Sequence, residues 1–310
     1  MRSQPVKSRK GLKITGICLL ILFIALGAYA GTIYFSFKKA VVTMHHPIER
    51  ELSEKRAAPV MFEEKDPFSV LMLGVDEREG DKGRSDTIIV LTVNPNNNSV
   101  KMLSIPRDTR TNIIGMGKED KINHAYAFGG VPMSMDTVEN FLGIPIDYYL
   151  QINMEGFEDI VNAVGGVTVH NDLAFTENGF DFSEGEITLD GEKALSFARM
   201  RYQDPRGDFG RQLRQRQIIQ GVIREGASLS SLTNFADIFS ALGKNLKTNL
   251  TFAEIVEIQK NYRDAAQSVQ QLEIKQQGTL IDGIYYGLVS QEEQQRIRTE
   301  LQTQLELGNE

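Results

Sequence analysis

An uncharged segment near the N-terminus limits the topology of this chain. Residues 14–37, ITGICLLILFIALGAYAGTIYFSF, contain no Asp, Glu, Lys or Arg. At about 1.5 Å per residue, a helix of this length spans roughly 36 Å, enough to cross a hydrocarbon core of about 30 Å. Five basic residues and no acidic residue precede it. Because basic flanks stay in the cytoplasm, we predict a basic cytoplasmic tail over 1–13, a single-pass transmembrane helix over 14–37 and an extracellular C-terminal body.

A cleaved signal peptide is the alternative to this anchor. Ala28, Tyr29 and Ala30 resemble a small-residue cleavage site, but apolar sequence continues beyond them. The apolar region is also longer than the roughly 7–15 residues of a signal peptide. The pattern therefore favours the anchor. Cys18, the only cysteine, falls within it, so no disulfide can form within the chain.

The charge of the body excludes one class of partner. Beyond residue 37 the chain carries 29 Lys and Arg against 41 Asp and Glu, a formal charge of −12. Nucleic-acid-binding proteins need a basic face. The body lacks that excess, and only the short basic tail would lie inside the cell, so we expect no nucleic-acid partner.

Residues 38–66 are predicted to form an extracellular stalk. Their apolar residues follow no sustained period, and charges of both signs are mixed along the segment. His45 and His46 are adjacent, but no other Cys or His lies near them in the sequence, so a metal site is not indicated. We interpret both histidines as part of a solvated stalk.

The remainder of the chain, 67–310, is predicted to be one α/β domain. Short apolar, β-branched runs alternate with amphipathic segments that end at glycines, which indicates an α-β-α sandwich around a mixed central sheet. The strands are predicted at 68–75, 87–93, 99–105, 147–153, 167–170 and 268–277. The helices are predicted at 132–143, 155–166, 190–200, 209–227, 230–245, 251–266 and 290–306.

Charged residues gather at one sheet edge if the first three strands form an antiparallel meander. These residues are Asp76, Arg84, Asp86, Arg107 and Asp108. Carboxylates beside guanidinium groups suit a hard cation next to a phosphate. Ordinary salt bridges between solvated loops are the alternative, and the spacing alone leaves both open.

The segment 199–217, RMRYQDPRGDFGRQLRQRQ, contains six arginines and no lysine. On a helix over 209–227, Arg211 and Gln215 fall on the same side as Ile218 and Val222. A guanidinium on the apolar side of a helix needs a partner, because an unpaired interior charge is costly. Arginine also suits bidentate contacts to phosphate oxygens.

The individual arginines are therefore given different roles. We predict anion-binding roles for Arg199, Arg201 and Arg211, and solvent-facing positions for Arg206 and Arg216. The alternative is a structural ion-pair network with Asp204 and Asp208.

Four separated motifs occur in order along the body. They are LMLGVDEREGDKGRSDTIIVLTVNP, MLSIPRDTR, KINHAYAFGG and ALSFARMRYQDPRGDFGRQLRQRQ. Together they resemble the LytR–CpsA–Psr family over about residues 68–225. The resemblance implies an extracellular, membrane-anchored phosphotransferase of Gram-positive cell walls. Such enzymes move a glycopolymer, here expected to be wall teichoic acid, from a polyprenyl pyrophosphate carrier to a peptidoglycan sugar hydroxyl, forming a phosphodiester.

The resemblance also implies an apolar tunnel for the polyprenyl tail, a Mg²⁺ cofactor and roles for particular residues. Asp76 and Asp86 match the metal-associated acids. The residues that match pyrophosphate ligands are Arg84, Arg107, Arg199, Arg201, Arg211 and Gln215. The residues expected to act in catalysis are Arg84, Arg107, Asp108 and Asp208. Asp76, Asp86 and Asp108 are all candidates for the general base, and the sequence does not choose among them.

Two other functions would use similar residues. A pyrophosphatase would hydrolyse the carrier linkage, with water as the acceptor. A non-catalytic receptor or transcriptional attenuator would bind the lipid pyrophosphate without reaction. Product analysis with and without peptidoglycan separates the enzymatic alternatives.

Overall fold

A computed structural model describes residues 38–50, 52–76, 83–228 and 245–308, together with positions 23, 27–29, 31–32, 34–35 and 243. The strands are β1 (Phe68–Val75), β2 (Ser85–Asn94), β3 (Ser99–Ser104), β4 (Arg110–Ile113), β5 (Lys118–Lys121), β6 (Tyr148–Ile152), β7 (Val167–Asn171), β8 (Phe175–Glu177), β9 (Phe180–Phe182), β10 (Gly185–Leu189), β11 (Leu246–Thr248), β12 (Val269–Glu273), β13 (Gln277–Ile281) and β14 (Ile284–Leu288). The helices are α1 (His124–Leu142), α2 (Met154–Ala163), α3 (Gly191–Arg199), α4 (Asp208–Ser228), α5 (Phe252–Asn261) and α6 (Gln291–Gln304).

A mixed six-stranded sheet forms the centre of the described fold. Its strand order is β11-β6-β1-β2-β3-β12. Strands β1, β2 and β3 are antiparallel, which confirms the predicted meander. Strand β6 joins β1 in parallel, and β12 joins β3 in parallel. The predicted mixed α/β class is therefore confirmed.

Helices cover both faces of this sheet. On one face, Leu73 and Val90 pack with Met135 of α1 and Leu301 of α6. On the other face, Ile89 and Met102 pack with Ile219 of α4. Because both faces are covered, the central strands are nearly continuous apolar runs, and these runs made the strands recognisable in the sequence.

Helix α1 begins eight residues earlier than the predicted 132–143. The backbone at Gly130 adopts φ 65° and ψ −149°, and Pro132 follows, so two helical pieces meet at a kink. Proline is common in the first turn of a helix, which explains why the sequence pattern indicated a start there. The preceding piece begins next to Asn123, whose backbone N–H donates to the carbonyl of Arg107, three residues beyond the end of β3.

Several smaller elements lie outside the central sheet, and only one of them was predicted. Strand 167–170 exists, but it pairs with β10 outside the central sheet. The hairpins β4–β5, β8–β9 and β13–β14 are too short or too polar to show a clear period. The helix predicted over 230–245 lies almost entirely outside the described residues.

The prediction of a solvated stalk over 38–66 is wrong for much of that segment. Val41 and Met44 lie in a helix over 38–44 and are buried. Arg56 donates two hydrogen bonds of 2.8 Å to the carboxylate of Asp147. His45 Nδ1 lies 3.0 Å from the carbonyl oxygen of Leu250. The segment therefore packs on the body.

The anchor predicted over 14–37 lies mostly outside the described residues. Within the portion of the chain that the structure covers, no helix has both the length and the apolar character needed to cross a membrane.

Candidate active site

The carboxyl ends of β1 and β3 meet the start of β2 at one sheet edge. The register pairs Val75 with Ser85, so Asp76 and Asp86 both lie at this edge. Arg107 follows β3 on the same side, because Ile105 N–H donates to the carbonyl of Ile88. The predicted grouping of the two acids with Arg107 is therefore present.

Arg107 interacts with the carboxylates of Asp86 and Asp108. Its Nη1 donates to Asp86 Oδ1 at 2.8 Å, and its Nε lies 3.8 Å from Asp108 Oδ2. Lys121 Nζ on β5 donates to the other oxygen of Asp108 at 2.6 Å. Lys121 lies in the KINHAYAFGG motif, but nothing in its sequence context indicated a role.

Charged residues at this edge and at the start of α4 both act on Arg107. Burial lowers the pKa of Arg107, but the hydrogen bond and charge of Asp86 and the charges of Asp108 and Asp208 outweigh that effect. Its pKa is therefore raised, and the guanidinium remains charged. Because the charge of Asp208 raises the pKa of Arg107, the start of α4 lies near this edge of the sheet.

Helix α4 presents the predicted polar stripe. Arg211 Nη2 lies 2.7 Å from Asp208 Oδ1, and Gln212 Nε2 donates to Asp208 Oδ2 at 2.8 Å. Arg211 and Gln215 line one cavity together with Ile218 and Val222. The helical-wheel prediction for these four residues is therefore confirmed.

This cavity, of about 290 Å³, lies between the sheet and α4. Its walls are mostly apolar and include Met72, Leu91, Leu150, Ile152, Phe157, Ile160, Leu195, Ile219 and Ile223. Asp86, Arg199, Arg211 and Gln215 also line it. The cavity is therefore amphipathic, with room for an apolar chain and cationic groups for an anion.

Buried polar atoms without hydrogen-bond partners concentrate near the same edge. Among the described residues they are Ser85 Oγ, Ser104 Oγ, Asn123 Oδ1, Asp208 Oδ1 and Arg211 Nε, with Thr92 Oγ1 farther along β2. Asp208 Oδ1 is close to Arg211 but outside hydrogen-bonding geometry. Such groups cost free energy unless a ligand satisfies them. Their location supports a binding site for a polar ligand.

Three predicted ligands are more exposed. Arg84, Arg199 and Arg201 have exposed side chains and no ion-pair partner among the described residues. Arg199 lines the cavity, whereas Arg84 and Arg201 do not. Their predicted pyrophosphate contacts therefore stay predictions.

The solvent-facing position predicted for Arg216 is wrong. Its side chain is 4% exposed and donates to Glu273 Oε1 at 2.7 Å and Gln271 Oε1 at 3.0 Å. Both partners lie on β12, which the helical wheel could not place. Arg216 is therefore a structural residue between α4 and the sheet.

The ion-pair alternative is correct for another part of the arginine segment. Arg206 is exposed, as predicted, but it is also paired with both Asp172 and Asp204. Arg214, which the sequence analysis did not single out, is 2% exposed and donates to Asp204 Oδ2 at 2.6 Å. Gly210 leaves the room that the Asp204 carboxylate occupies. This network fixes the loop before α4.

The two predicted metal acids fit Mg²⁺ only together with a phosphate ligand. Within the described residues, no group of three or more His, Cys, Asp and Glu side chains could hold a metal ion. Asp76 and Asp86 provide two carboxylates at one edge. Mg²⁺ is commonly bound by one or two carboxylates plus substrate phosphates, so this pair is compatible with that arrangement.

Comparison with known proteins establishes the family. The sequence model of the LytR_cpsA_psr family matches residues 31–303. The chain belongs to the LytR–CpsA–Psr family. It is 49% identical over 307 residues to the polyisoprenyl-teichoic acid–peptidoglycan teichoic acid transferase TagU of Bacillus subtilis strain 168, covering 99% of this chain and 100% of that protein.

Solved structures of the LytR–CpsA–Psr family share the fold. The crystal structure of B. subtilis TagU is 50% identical, with a TM-score of 0.65, covering 79% of this chain and 100% of that chain. A structure of TagT bound to LIIa-WTA is 34% identical, with a TM-score of 0.74, covering 85% of this chain and 100% of that chain. The sequence resemblance to this family is confirmed.

Proposed function

We propose that this chain is a teichoic acid transferase that moves the polymer from a polyprenyl pyrophosphate carrier to a peptidoglycan sugar hydroxyl. The observation that carries the proposal is the amphipathic cavity, in which apolar walls meet Arg199, Arg211 and Gln215. A lipid diphosphate has the same division into an apolar chain and a dense negative charge. The name of the B. subtilis relative supports teichoic acid as the polymer.

The cavity residues account for donor binding. Burial of the carrier tail against Leu150, Phe157 and Ile219 would contribute about 25 cal/mol per Å² of apolar surface. Arg211 Nε is buried without a partner, so it is available to a diphosphate oxygen. A donor held by both ends would place its diphosphate at the edge that contains Arg107.

Residues at the adjoining sheet edge account for transfer. The acceptor oxygen attacks the phosphorus that carries the polymer, a phosphodiester forms, and polyprenyl phosphate leaves. Fixed guanidinium groups stabilise charge that develops on the phosphoryl oxygens in the transition state. Arg107 is suited to this role, because hydrogen bonding to Asp86 holds it in place before the donor arrives.

This reaction differs from hydrolysis in its dependence on the acceptor. Polyprenyl phosphate release should accelerate when soluble peptidoglycan oligomer is added to the protein and a lipid-linked teichoic acid. A release rate that is independent of the oligomer would favour the pyrophosphatase alternative. Donor binding with no release at all would favour a receptor.

We further propose that Asp76 and Asp86 hold Mg²⁺ beside the diphosphate. The ion would neutralise phosphate charge there. Asp86→Asn keeps the shape of the side chain but removes its charge, so we expect weaker Mg²⁺ binding in the presence of a diphosphate and slower transfer. Titration calorimetry and a thermal melt measure the binding and the fold.

Asp181→Asn is a control for this substitution, because Asp181 is an exposed residue on β9. It should leave Mg²⁺ binding unchanged. Equal Mg²⁺ affinity in Asp86→Asn and Asp181→Asn would remove Asp86 from the metal site.

The proposed reaction requires the body to lie outside the membrane. The basic residues before residue 14 favour this orientation. A protease added to intact protoplasts should therefore digest the C-terminal body. Full protection of the body, with digestion only after lysis, would contradict the proposed location.

A further inference from the structure

A histidine–aspartate pair lies at the start of α1, next to a residue that contacts the backbone of Arg107. His124 is the first residue of α1, and its Nδ1 lies 3.0 Å from Asp120 Oδ1. The backbone N–H of Asn123, the preceding residue, donates to the carbonyl of Arg107 at 3.3 Å. This hydrogen bond ties the start of α1 to the backbone that carries Arg107.

Asp120 is held as an ionised carboxylate. Burial raises its pKa, but hydrogen bonds from His124, the backbone of Lys121 and the side chain of Lys118 outweigh that effect and lower it. Tyr286 also lies within reach, with its hydroxyl 3.4 Å from Asp120 Oδ1. A carboxylate fixed in this way orients the imidazole and places the Nδ1 proton towards itself.

The other nitrogen of His124 remains available. Its Nε2 has no hydrogen-bond partner among the described residues, and the side chain is 23% exposed. Phe128 packs edge-on against the ring, with the centroids 5.9 Å apart. The imidazole is therefore oriented on one side by Asp120 and supported by Phe128.

Three of the acids near this edge each have a carboxylate oxygen that already accepts a hydrogen bond from a cation or an amide. Asp86 accepts from Arg107, Asp108 accepts from Lys121, and Asp208 accepts from Gln212. In a neutral imidazole whose Nδ1 donates a hydrogen bond, in contrast, Nε2 is an acceptor that can take a proton. His124 is thus the better suited proton acceptor at this edge.

The position of His124 also agrees with an in-line displacement. Helix α1 packs on one face of the central sheet, whereas the apolar cavity lies on the other face, against α4. The entering and leaving oxygens of a phosphoryl transfer lie roughly in line with the phosphorus. A carrier in the cavity would leave on the α4 side, so the acceptor hydroxyl would approach from the α1 side.

We propose that His124 Nε2 is the general base that takes the proton of the acceptor hydroxyl, and that Asp120 positions it. The inference rests on the proposed function. The hydroxyl oxygen bonds to the phosphorus that carries the polymer while its proton passes to Nε2. The bond from that phosphorus to the bridging oxygen breaks, and polyprenyl phosphate leaves with the electron pair. The imidazolium then releases its proton to solvent.

The test compares two histidine–carboxylate pairs in the full-length protein. His124→Gln should lower kcat roughly 10²- to 10⁴-fold, the usual contribution of general acid–base catalysis. The KM for the lipid-linked donor and the melting temperature should stay near wild type. His170→Gln is the matched control, because His170 Nδ1 on β7 lies 3.2 Å from Glu186 Oε1 on β10 in an exposed pair. It should retain wild-type kcat.

The pH dependence separates catalysis from structure. The charged and titratable groups around the pair are Asp120, Lys118 and Lys121 of β5, Arg110 of β4 and Tyr286 of β14. Wild-type kcat should rise with pH along a single-proton limb that His124→Gln lacks. Asp120→Asn should move the pH at which kcat rises, and it should lower kcat by less than His124→Gln does.

Three results would overturn the inference. One is a kcat of His124→Gln within twofold of wild type. Another is a residual kcat of His124→Gln that rises with pH in the same way as the wild-type kcat. The third is an equal loss in His170→Gln. Each of these leaves the proposed function standing as long as the wild type transfers polymer. A wild type that binds the donor but transfers nothing removes the proposed function, and this inference with it.

Discussion

Replacing Asp204 with alanine should lower the free energy of unfolding by about 3–5 kcal/mol, the usual cost of breaking a buried ion pair. Arg214 and Asp204 are almost fully buried, and Nη1 lies 2.6 Å from Oδ2. Without the carboxylate, the guanidinium of Arg214 stays in the interior with no counter-ion, bonded to the carbonyls of Phe197 and Met200. Denaturant titration measures the loss, which would be a large part of a typical stability of about 5–15 kcal/mol.

Asp172 provides the control for this substitution, because it also pairs with Arg206 but is 46% exposed. Asp172→Ala should cost about 1 kcal/mol or less. Similar losses in the two variants would show that the buried Arg214 pair does not stabilise the fold.

Because of the Asp204 network, the free energy of unfolding should also depend on pH in the acid range. Burial raises the pKa of Asp204, but hydrogen bonds from Arg206 and Arg214 outweigh it and hold the pKa well below its ordinary value. The stabilisation is therefore present above the unfolded-state pKa of about 3.9 and is lost as pH falls below it. The stability difference between wild type and Asp204→Asn should narrow below about pH 4. A constant difference down to acid pH would contradict this.

Arg211→Lys should slow transfer roughly ten- to hundredfold while the melting temperature stays close to wild type. Lysine keeps the charge but loses the planar group that can contact two phosphate oxygens. A charge-assisted hydrogen bond contributes about 1.5–3 kcal/mol, and each 1.4 kcal/mol is a factor of about ten in rate. Transfer rate and a thermal melt are measured on the same preparation.

Arg224 is the matched control on the same helix. Its side chain is 57% exposed and pairs with the neighbouring Glu225. Arg224→Lys should therefore transfer at the wild-type rate. Arg216 cannot serve in this role, because it is buried against β12. Loss of activity in Arg211→Lys only through unfolding would make Arg211 a structural residue.

The central sheet could be predicted because its strands are buried on both faces. The predicted first strand, 68–75, has the same bounds as β1, and the meander follows from the turn at 94–98. The position of Arg211 and Gln215 beside Ile218 and Val222 could also be predicted. Helical periodicity alone places these side chains on one face.

Contacts between distant segments could not be predicted in this way. Arg216 is buried because Glu273, 57 residues later, lies on a strand that packs beside it. The segment over 38–66 looks solvated, since its mixed charges give no period, yet Arg56 is paired with Asp147. Asp120 and His124 are only four residues apart, but they lie on β5 and at the start of α1, and their relation to Arg107 depends on the β4–β5 hairpin, whose short polar strands show no clear periodicity.

Mass spectrometry of the reaction products tests the central claim most directly. The protein is incubated with a synthetic lipid-linked teichoic acid, a soluble peptidoglycan oligomer and Mg²⁺. We expect polyprenyl phosphate and a new species whose mass equals the polymer joined to the oligomer through one phosphodiester, and we expect Arg211→Lys to form much less of both. Free polymer phosphate in place of the joined species, in the same amount with or without the oligomer, would contradict the account.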